Sequence, residues 1–268
     1  MNKLELVTWN ILADHYIRPE FYPHTPSSYL NPATRHPMLL AAISAQDADL
    51  YCLQEVEQTM FDTILEVMQP LGWQGQLAVK DGHREGVALL WRTRAVEVSA
   101  THTLHYAATS KGHRSTALIA HIRPVSGARP FVLVSTHLAW AHHSTPATEH
   151  PGVLQLAELL DVRDAGQLMP AGLPWIICGD LNDEYTGPVL TLARDRGLTV
   201  PCTQMRPWHT GNFNERPVKL DYTLCDPGAP TITPHPLPRL EKTTPMPGPD
   251  HASDHLPLCV ALSWPDLA

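Results

Sequence analysis

The feature that most limits the fold of this chain is a series of apolar runs, several of them unbroken. They are Leu4–Leu12, Leu50–Val56, Val87–Trp91, Ser115–Ile122, Phe131–His137, Trp175–Asp180, Leu220–Cys225 and Leu256–Leu262. A strand with one wet face alternates apolar and polar residues, whereas a continuous run belongs in a sheet covered on both faces. Helix signals lie between the runs. Asn31-Pro32 is a cap followed by proline at the first helical position. Phe61, Ile64, Leu65 and Met68 form one helical face, and Val153–Leu168 and Val189–Arg196 also read as helices. Strands and helices interleaved over 268 residues predict one α/β domain, residues 1–268, with two packed sheets and helices outside. The prolines from Pro227 to Pro249 exclude a central strand or a helix interior there. That segment and Ala139–Pro151 read as long loops, which often carry function, and both are expected to wall a cleft.

Composition narrows the class further. Of the five cysteines, Cys52, Cys178, Cys225 and Cys259 lie in apolar runs, and no pair has C-x-x-C spacing. Reduced, buried thiols are expected rather than a disulfide framework. No apolar run approaches the roughly eighteen residues of a membrane helix. The opening MNKLELVTWN enters a strand pattern without the features of a signal peptide, so a cytoplasmic protein is expected. The formal net charge is −8, with no lysine- or arginine-rich run. A protein that tracks a long polyanion carries a basic stripe, so a small phosphorylated molecule or a short nucleic-acid end is the expected partner.

Polar residues gather where the apolar runs end. Asn10 closes LVTWN, Glu55 closes YCLQE and His137 closes LVSTH; Asp180 and Asn182 follow WIICG, Asp221 lies in KLDYTL, and Asp254 and His255 open the last run. Any one of these fits a cap or a turn, but six together form a chemically complete set. Hard cations such as Mg²⁺ take oxygen ligands, often one or two carboxylates plus a substrate phosphate; Glu55, Asn10 and Asp254 can supply them. Phosphoester cleavage needs a base for a water, for which Asp180 serves. It also needs donors to the phosphate oxygens, for which Asn182, His137 and His255 serve. Asp221 is a carboxylate partner for a histidine.

In order and wording, TWN-I-L, LQEVE, THL, GDLN, LDY and SDH resemble the endonuclease/exonuclease/phosphatase superfamily from Trp9 to His255. WNILADHY, DADLYCLQEVE and THLAW with Gln155 beyond it are most similar to the deadenylase, nocturnin, Angel and 2′,5′-phosphodiesterase branch. The resemblance implies a four-layer α/β/β/α sandwich, Mg²⁺ or Mn²⁺, and hydrolysis of a phosphodiester or phosphomonoester. It implies Glu55 as main metal ligand with Asn10 nearby, Asp180 as base, Asn182 and His137 on the phosphate, and His255, paired with Asp221, at the transition state. Asp254 is implied as a second metal carboxylate or an organiser. Leu12 stands where some relatives carry an acidic residue.

Weaker signals remain. Trp140 and Trp208 suit either base stacking or packing in the core or a lid. Arg84, Lys111 and Arg114 suit either phosphate contacts or a solvated surface. His142, His143 and His150 lack a strong zinc spacing. Three functions follow: cleavage of short RNA ends or nucleotides, a phosphatase for a sugar, inositol or lipid headgroup, or an inactive binding module. The last predicts loss of Glu55, Asp180, Asn182 or His255, and all four are present.

Overall fold

The computed structural model describes residues 3–110, 113–142, 144–201, 209–213 and 215–265. One sheet is built from β1 (Lys3–Asn10), β2 (Leu50–Glu57), β3 (Trp73–Val79), β4 (Glu85–Arg92), β12 (Thr231–Pro234) and β13 (Leu258–Ser263), in the order β12-β13-β1-β2-β4-β3. The other is built from β5 (Val96–Ser110), β6 (His113–Pro124), β7 (Phe131–His137), β8 (Trp175–Asp180) and β11 (Asp221–Cys225), in the order β11-β8-β7-β6-β5. A small ribbon, β9 (Gly211–Phe213) with β10 (Arg216–Val218), precedes β11. Each large sheet has one parallel pair at its centre, β1 with β2 and β7 with β8, and antiparallel neighbours elsewhere.

Three apolar layers hold this together. Leu6, Leu50, Cys52 and Leu89 of the first sheet meet Leu118, Leu133, Ile176 and Cys178 of the second. Helices α1 (Pro32–Ala45) and α2 (Gln58–Met68) pack Leu39, Ile43, Phe61 and Ile64 onto the outer face of the first sheet, against Tyr51 and Leu53. Helices α3 (Pro151–Ala165) and α4 (Pro188–Asp195) pack Leu156, Leu160 and Leu190 onto the outer face of the second, against Val134 and Ile177. The result is the expected α/β/β/α sandwich. Both faces of each central strand are covered, which is why those strands read as unbroken apolar runs. Asn31 Oδ1 accepts from the Ala33 amide and Pro32 opens α1, as the cap signal predicts.

The strands that the run pattern missed lie at sheet edges. β3 and β5 are edge strands, and WQGQLAV and VEVSATHTLHYAATS mix polar with apolar residues. β12 falls inside the proline-rich segment, also at an edge, where a strand tolerates proline. Cys52, Cys178 and Cys225 are free and buried; Cys259 is free but only half-buried, and Cys202 lies outside the described residues. No described helix is long and apolar enough to cross a membrane.

Candidate active site

The two central parallel pairs end on the same side of the sandwich, at one cleft. Asn10 ends β1, Glu55 lies near the end of β2, His137 ends β7 and Asp180 ends β8, with His137 paired in register with Asp180. Beneath them a polar seam ties the sheets together. Gln54 Nε2 donates to Thr8 Oγ1, to the Cys52 carbonyl and to Ser135 Oγ, and Ser135 Oγ donates to the Leu53 carbonyl.

Local backbone geometry presents these side chains. Glu55 is the extra residue of a β-bulge, with Gln54 facing Val87 and Val56 facing Gly86, and its φ of 55° lies in the left-handed region. Such a conformation is uncommon for a residue with a Cβ and clusters at functional sites. Asn182 shares it, with φ 52°. Gly179 precedes Asp180 with φ 153°, and a Cβ there would lie 1.8 Å from the Thr136 carbonyl oxygen. Only glycine lets β8 approach β7 this closely, so the glycine of GDLN has a packing reason.

A hydrogen-bonded chain runs across the floor. Asn10 Nδ2 donates to Glu55 Oε1 (2.9 Å) and to Asp180 Oδ2 (3.1 Å), while its oxygen accepts from the Leu12 amide. Asn10, expected beside a metal, is therefore a bridge between two carboxylates, with one lone pair of its oxygen left. Glu55 Oε2 accepts from the Ala13 amide at 3.0 Å. Asp180 Oδ1 accepts from the Asn182 amide, and Oδ2 lies 3.6 Å from Nε2 of both His137 and His255. His255 Nδ1 donates to Asp221 Oδ2 at 2.8 Å, the expected carboxylate–histidine pair. Asp254 Oδ2 accepts from the Tyr22 hydroxyl at 3.0 Å.

Burial sets the electrostatics. It pushes Glu55 up from 4.5 to about 7, with Asp254 and Glu85 adding repulsion and only neutral donors opposing it. Burial likewise raises Asp180 to about 6; His255 pulls it down and Asp221 pushes it up. Burial alone would depress His255, but Asp221, Asp180 and Asp254 outweigh it and hold the ring protonated. Burial, Lys80 and His255 keep His137 well below the usual histidine range. The cleft therefore holds a base near neutrality, a cationic imidazole and a neutral one, the pattern of groups pushed apart for acid–base work.

Glu55 and Asp254 suit a hard cation on three grounds: Asp254 is buried and Glu55 half-buried, they repel one another, and no cationic side chain among the described residues pairs with Glu55. Asp180, Asp221 and His255 also offer ligand atoms all within 4.8 Å of one another. There, however, the imidazole nitrogen facing Asp221 is taken by a 2.8 Å hydrogen bond. That trio is better described as an ion-paired relay than as a cage.

A measurable consequence attaches to Glu55 in the presence of chelator. A carboxyl whose folded-state value is raised binds its proton more tightly in the native state. Its ionisation therefore lowers stability as pH rises from about 4.5 to about 7. Glu55→Gln, neutral throughout, should then exceed wild type in stability above pH 7 by up to about 3 kcal/mol and match it below about pH 4.5. Urea unfolding at several pH values checks this; parallel profiles for the two proteins would show that Glu55 is not strained. Added Mg²⁺ or Mn²⁺ should stabilise wild type alone.

The cleft has a volume of about 950 Å³ and is lined among others by Glu55, His137, Trp140, Asp180, Asn182 and His255. Trp140 is 58% exposed on its wall, so its reading as core packing does not hold. Arg84 and Arg114 are exposed and do not line it; Arg114 lies 3.8 Å from Asp81 instead. Among the described residues the lining arginine is Arg216, paired with Glu184, which no motif marked. Trp208, Lys111 and His143 lie outside the described residues. Of the two loops expected as walls, the one from Ala139 contributes Trp140, Ala141 and His150. The proline-rich one lines a separate 640 Å³ groove through His235, Pro236, Leu237 and Pro238, because β12 carries that segment to the far edge of the first sheet. His150 Nδ1 caps α3 by accepting from the Val153 amide, which leaves that nitrogen no lone pair for a metal.

Sequence reasoning also missed Phe213, whose ring meets His255 edge-on at 5.0 Å, and the buried Lys80 and Glu85, with the half-buried Tyr16, beside His137. A lysine and a glutamate flanking a turn look like surface residues in a sequence. Only the packing of β4 between β2 and β3 buries them.

Among known proteins, this chain is similar to 2′,5′-phosphodiesterase 12 of Rattus norvegicus, at 23% identity over 97% of this chain and 52% of that protein. It thus spans about half the length of that relative. Carbon catabolite repressor protein 4 homolog 4 of Arabidopsis thaliana is 29% identical over 39% of this chain and 25% of its own length. Solved structures that share the fold include the following two. ANGEL2, described as a 2′,3′-cyclic phosphatase in complex with adenosine-2′,3′-vanadate, superposes with a TM-score of 0.83 at 17% identity, covering 98% of this chain and 96% of that one. The human Nocturnin catalytic domain with bound sulfate gives 0.75 at 23% identity, covering 98% and 94%. The family match runs over residues 7–255, from the strand that carries Asn10 to the histidine paired with Asp221, and the chain belongs to the Endonuclease/Exonuclease/phosphatase family.

Proposed function

We propose that this protein is a divalent-metal-dependent phosphoesterase that hydrolyses a phosphodiester or phosphomonoester of a short RNA end or a nucleotide. The observation that carries the reading is the position of Asp180, 3.6 Å from a cationic and from a neutral imidazole, and one amide bridge away from Glu55. Glu55 and Asp254, with Asn10 orienting Glu55, would hold Mg²⁺ or Mn²⁺. Bound there, the cation supplies Lewis-acid neutralisation of phosphate charge. Asp180 orients a water and takes its proton. Asn182 and His137 donate to phosphate oxygens, and His255, kept protonated by Asp221, donates to the oxygen on which charge grows.

The similarity to a 2′,5′-phosphodiesterase and to a 2′,3′-cyclic phosphatase supports a nucleotide substrate, and the exposed Trp140 offers a face for a base. A non-nucleotide phosphate monoester is the second reading; a mannosyl-6-phosphatase shares the fold with a TM-score of 0.71. The test is turnover by purified protein with Mg²⁺ or Mn²⁺ on oligoribonucleotides, cyclic and 3′-phosphate ends, dinucleotides and sugar or inositol phosphates. Absence of released phosphate, of shortened product and of ring-opened monoester from all of these would refute the proposal. A cytoplasmic site of action, with residues 1–268 acting as one domain, accords with it.

Substrate length gives a separate expectation. With 19 Lys plus Arg against 27 Asp plus Glu, and Arg216 as the single lysine or arginine of the lining among the described residues, the cleft should grip one to three nucleotides. Efficiency should level off beyond about three nucleotides and depend weakly on salt, against a log–log slope of about −0.7 per phosphate on a tracked single strand. The measurement is kcat/KM for a length series at two salt concentrations. A steady rise with length and a steep slope would reveal an extended basic track.

A further inference from the structure

Lys80 is 7% exposed, and its side chain enters the sandwich beside His137. Its Nζ lies 2.7 Å from Glu85 Oε1 and 3.3 Å from His137 Nδ1. Glu85 is fully buried and also accepts from the Tyr16 hydroxyl at 3.0 Å, so the ammonium sits in a fixed place. An ammonium only donates. A ring nitrogen facing it must therefore be the acceptor, which excludes both a proton on Nδ1 and the doubly protonated ring. The single ring proton is left on Nε2.

On the other side of the ring, Asn182 Nδ2 stands 3.0 Å from Nε2 and donates to the Leu138 carbonyl at 2.9 Å. That carbonyl fixes the amide's orientation, since the side-chain oxygen turned towards it would be repelled. The second N–H of Asn182 therefore points at Nε2, and the ring meets a donor on each nitrogen. The charged ammonium outweighs the neutral amide, and Asp180 Oδ2, 3.6 Å from Nε2, favours the proton there, so Nε2–H and that N–H crowd one another. One anionic oxygen placed against both would accept from both, the arrangement of an oxyanion hole.

We propose that Lys80 is a positioning residue that locks His137 as its Nε2–H tautomer, so that His137 and Asn182 present paired donors to one non-bridging phosphate oxygen. The identity of that oxygen rests on the phosphoesterase reading; the state of the ring does not.

The test is two-bond ¹H–¹⁵N correlation on the full chain with ¹⁵N-labelled histidine, the His137 signals being assigned by their loss in His137→Gln. Wild type should show the Nε2–H pattern without any substrate. Lys80→Met should give a mixture or the Nδ1–H form, and Lys80→Arg should retain the wild-type pattern. Because Lys80→Met leaves Glu85 buried without its cation, Lys80→Met/Glu85→Gln serves as the paired variant if the single one unfolds. In turnover, loss of the lock should lower kcat by about 10²-fold, the scale of one lost oxyanion donor, with KM little changed. An Nδ1–H pattern in wild type, or an unchanged Nε2–H pattern in the Lys80→Met variants, would overturn the proposal. The ring readout needs no turnover, so a protein that cleaves no phosphate ester would defeat the functional reading without touching this measurement.

Discussion

Asp180→Asn is expected to lower kcat by about 10²- to 10⁴-fold, the usual contribution of a general base, while binding of a non-hydrolysable substrate analogue changes little. The substitution keeps the shape of the side chain and removes the atom that takes the proton. The surroundings of Asp180 fit that role. Raised to about 6 by burial, with His255 opposing and Asp221 reinforcing, the carboxylate is mostly ionised at pH 7 yet more basic than a surface aspartate. In wild type, log kcat/KM should rise with pH up to about 6 and then flatten, because the base works only when ionised. That limb should vanish in the variant. Turnover near the wild-type rate in a folded Asp180→Asn protein would remove Asp180 from the role of base.

Chelator, or Glu55→Ala, should abolish turnover to a comparable or greater degree, by at least about 10³-fold, since a bound cation supplies several kcal/mol of transition-state stabilisation. Mg²⁺ or Mn²⁺ should restore chelated wild type and leave the variant inactive. Calorimetric titration with Mn²⁺ should show binding to wild type and weak or no binding to the variant. The reason is local. Glu55 sits in a bulge that turns its carboxylate towards Asp254 and the cleft, and its own hydrogen bonds come from an amide side chain and a backbone N–H. Neither neutralises it. Full activity in excess chelator would show that the excess of carboxylates has another purpose.

Much of this was legible in the sequence, for a definite reason. The central strands are buried on both faces, so they must be continuously apolar, and β7 and β8 run from Phe131 to His137 and from Trp175 to Asp180 as the pattern predicts. A polar residue where such a run stops sits where a parallel strand delivers its end to a crevice, and Asn10, Glu55, His137 and Asp180 were visible on that account. Edge strands have no such signature: β5, fifteen residues long and rich in threonine and histidine, reads like a loop. The tertiary structure alone decided which residues meet across long separations. It brought Asp221 against His255, 34 residues apart, and Asn10 against Asp180, 170 apart. It also placed Lys80 and Arg216, two cations without a motif, one inside the sandwich and one on the cleft wall, and sent the proline-rich loop to a different face. Periodicity and strand ends are local properties of a chain, whereas the neighbours of a charge depend on how two sheets stack, and that is settled only when the apolar layers close.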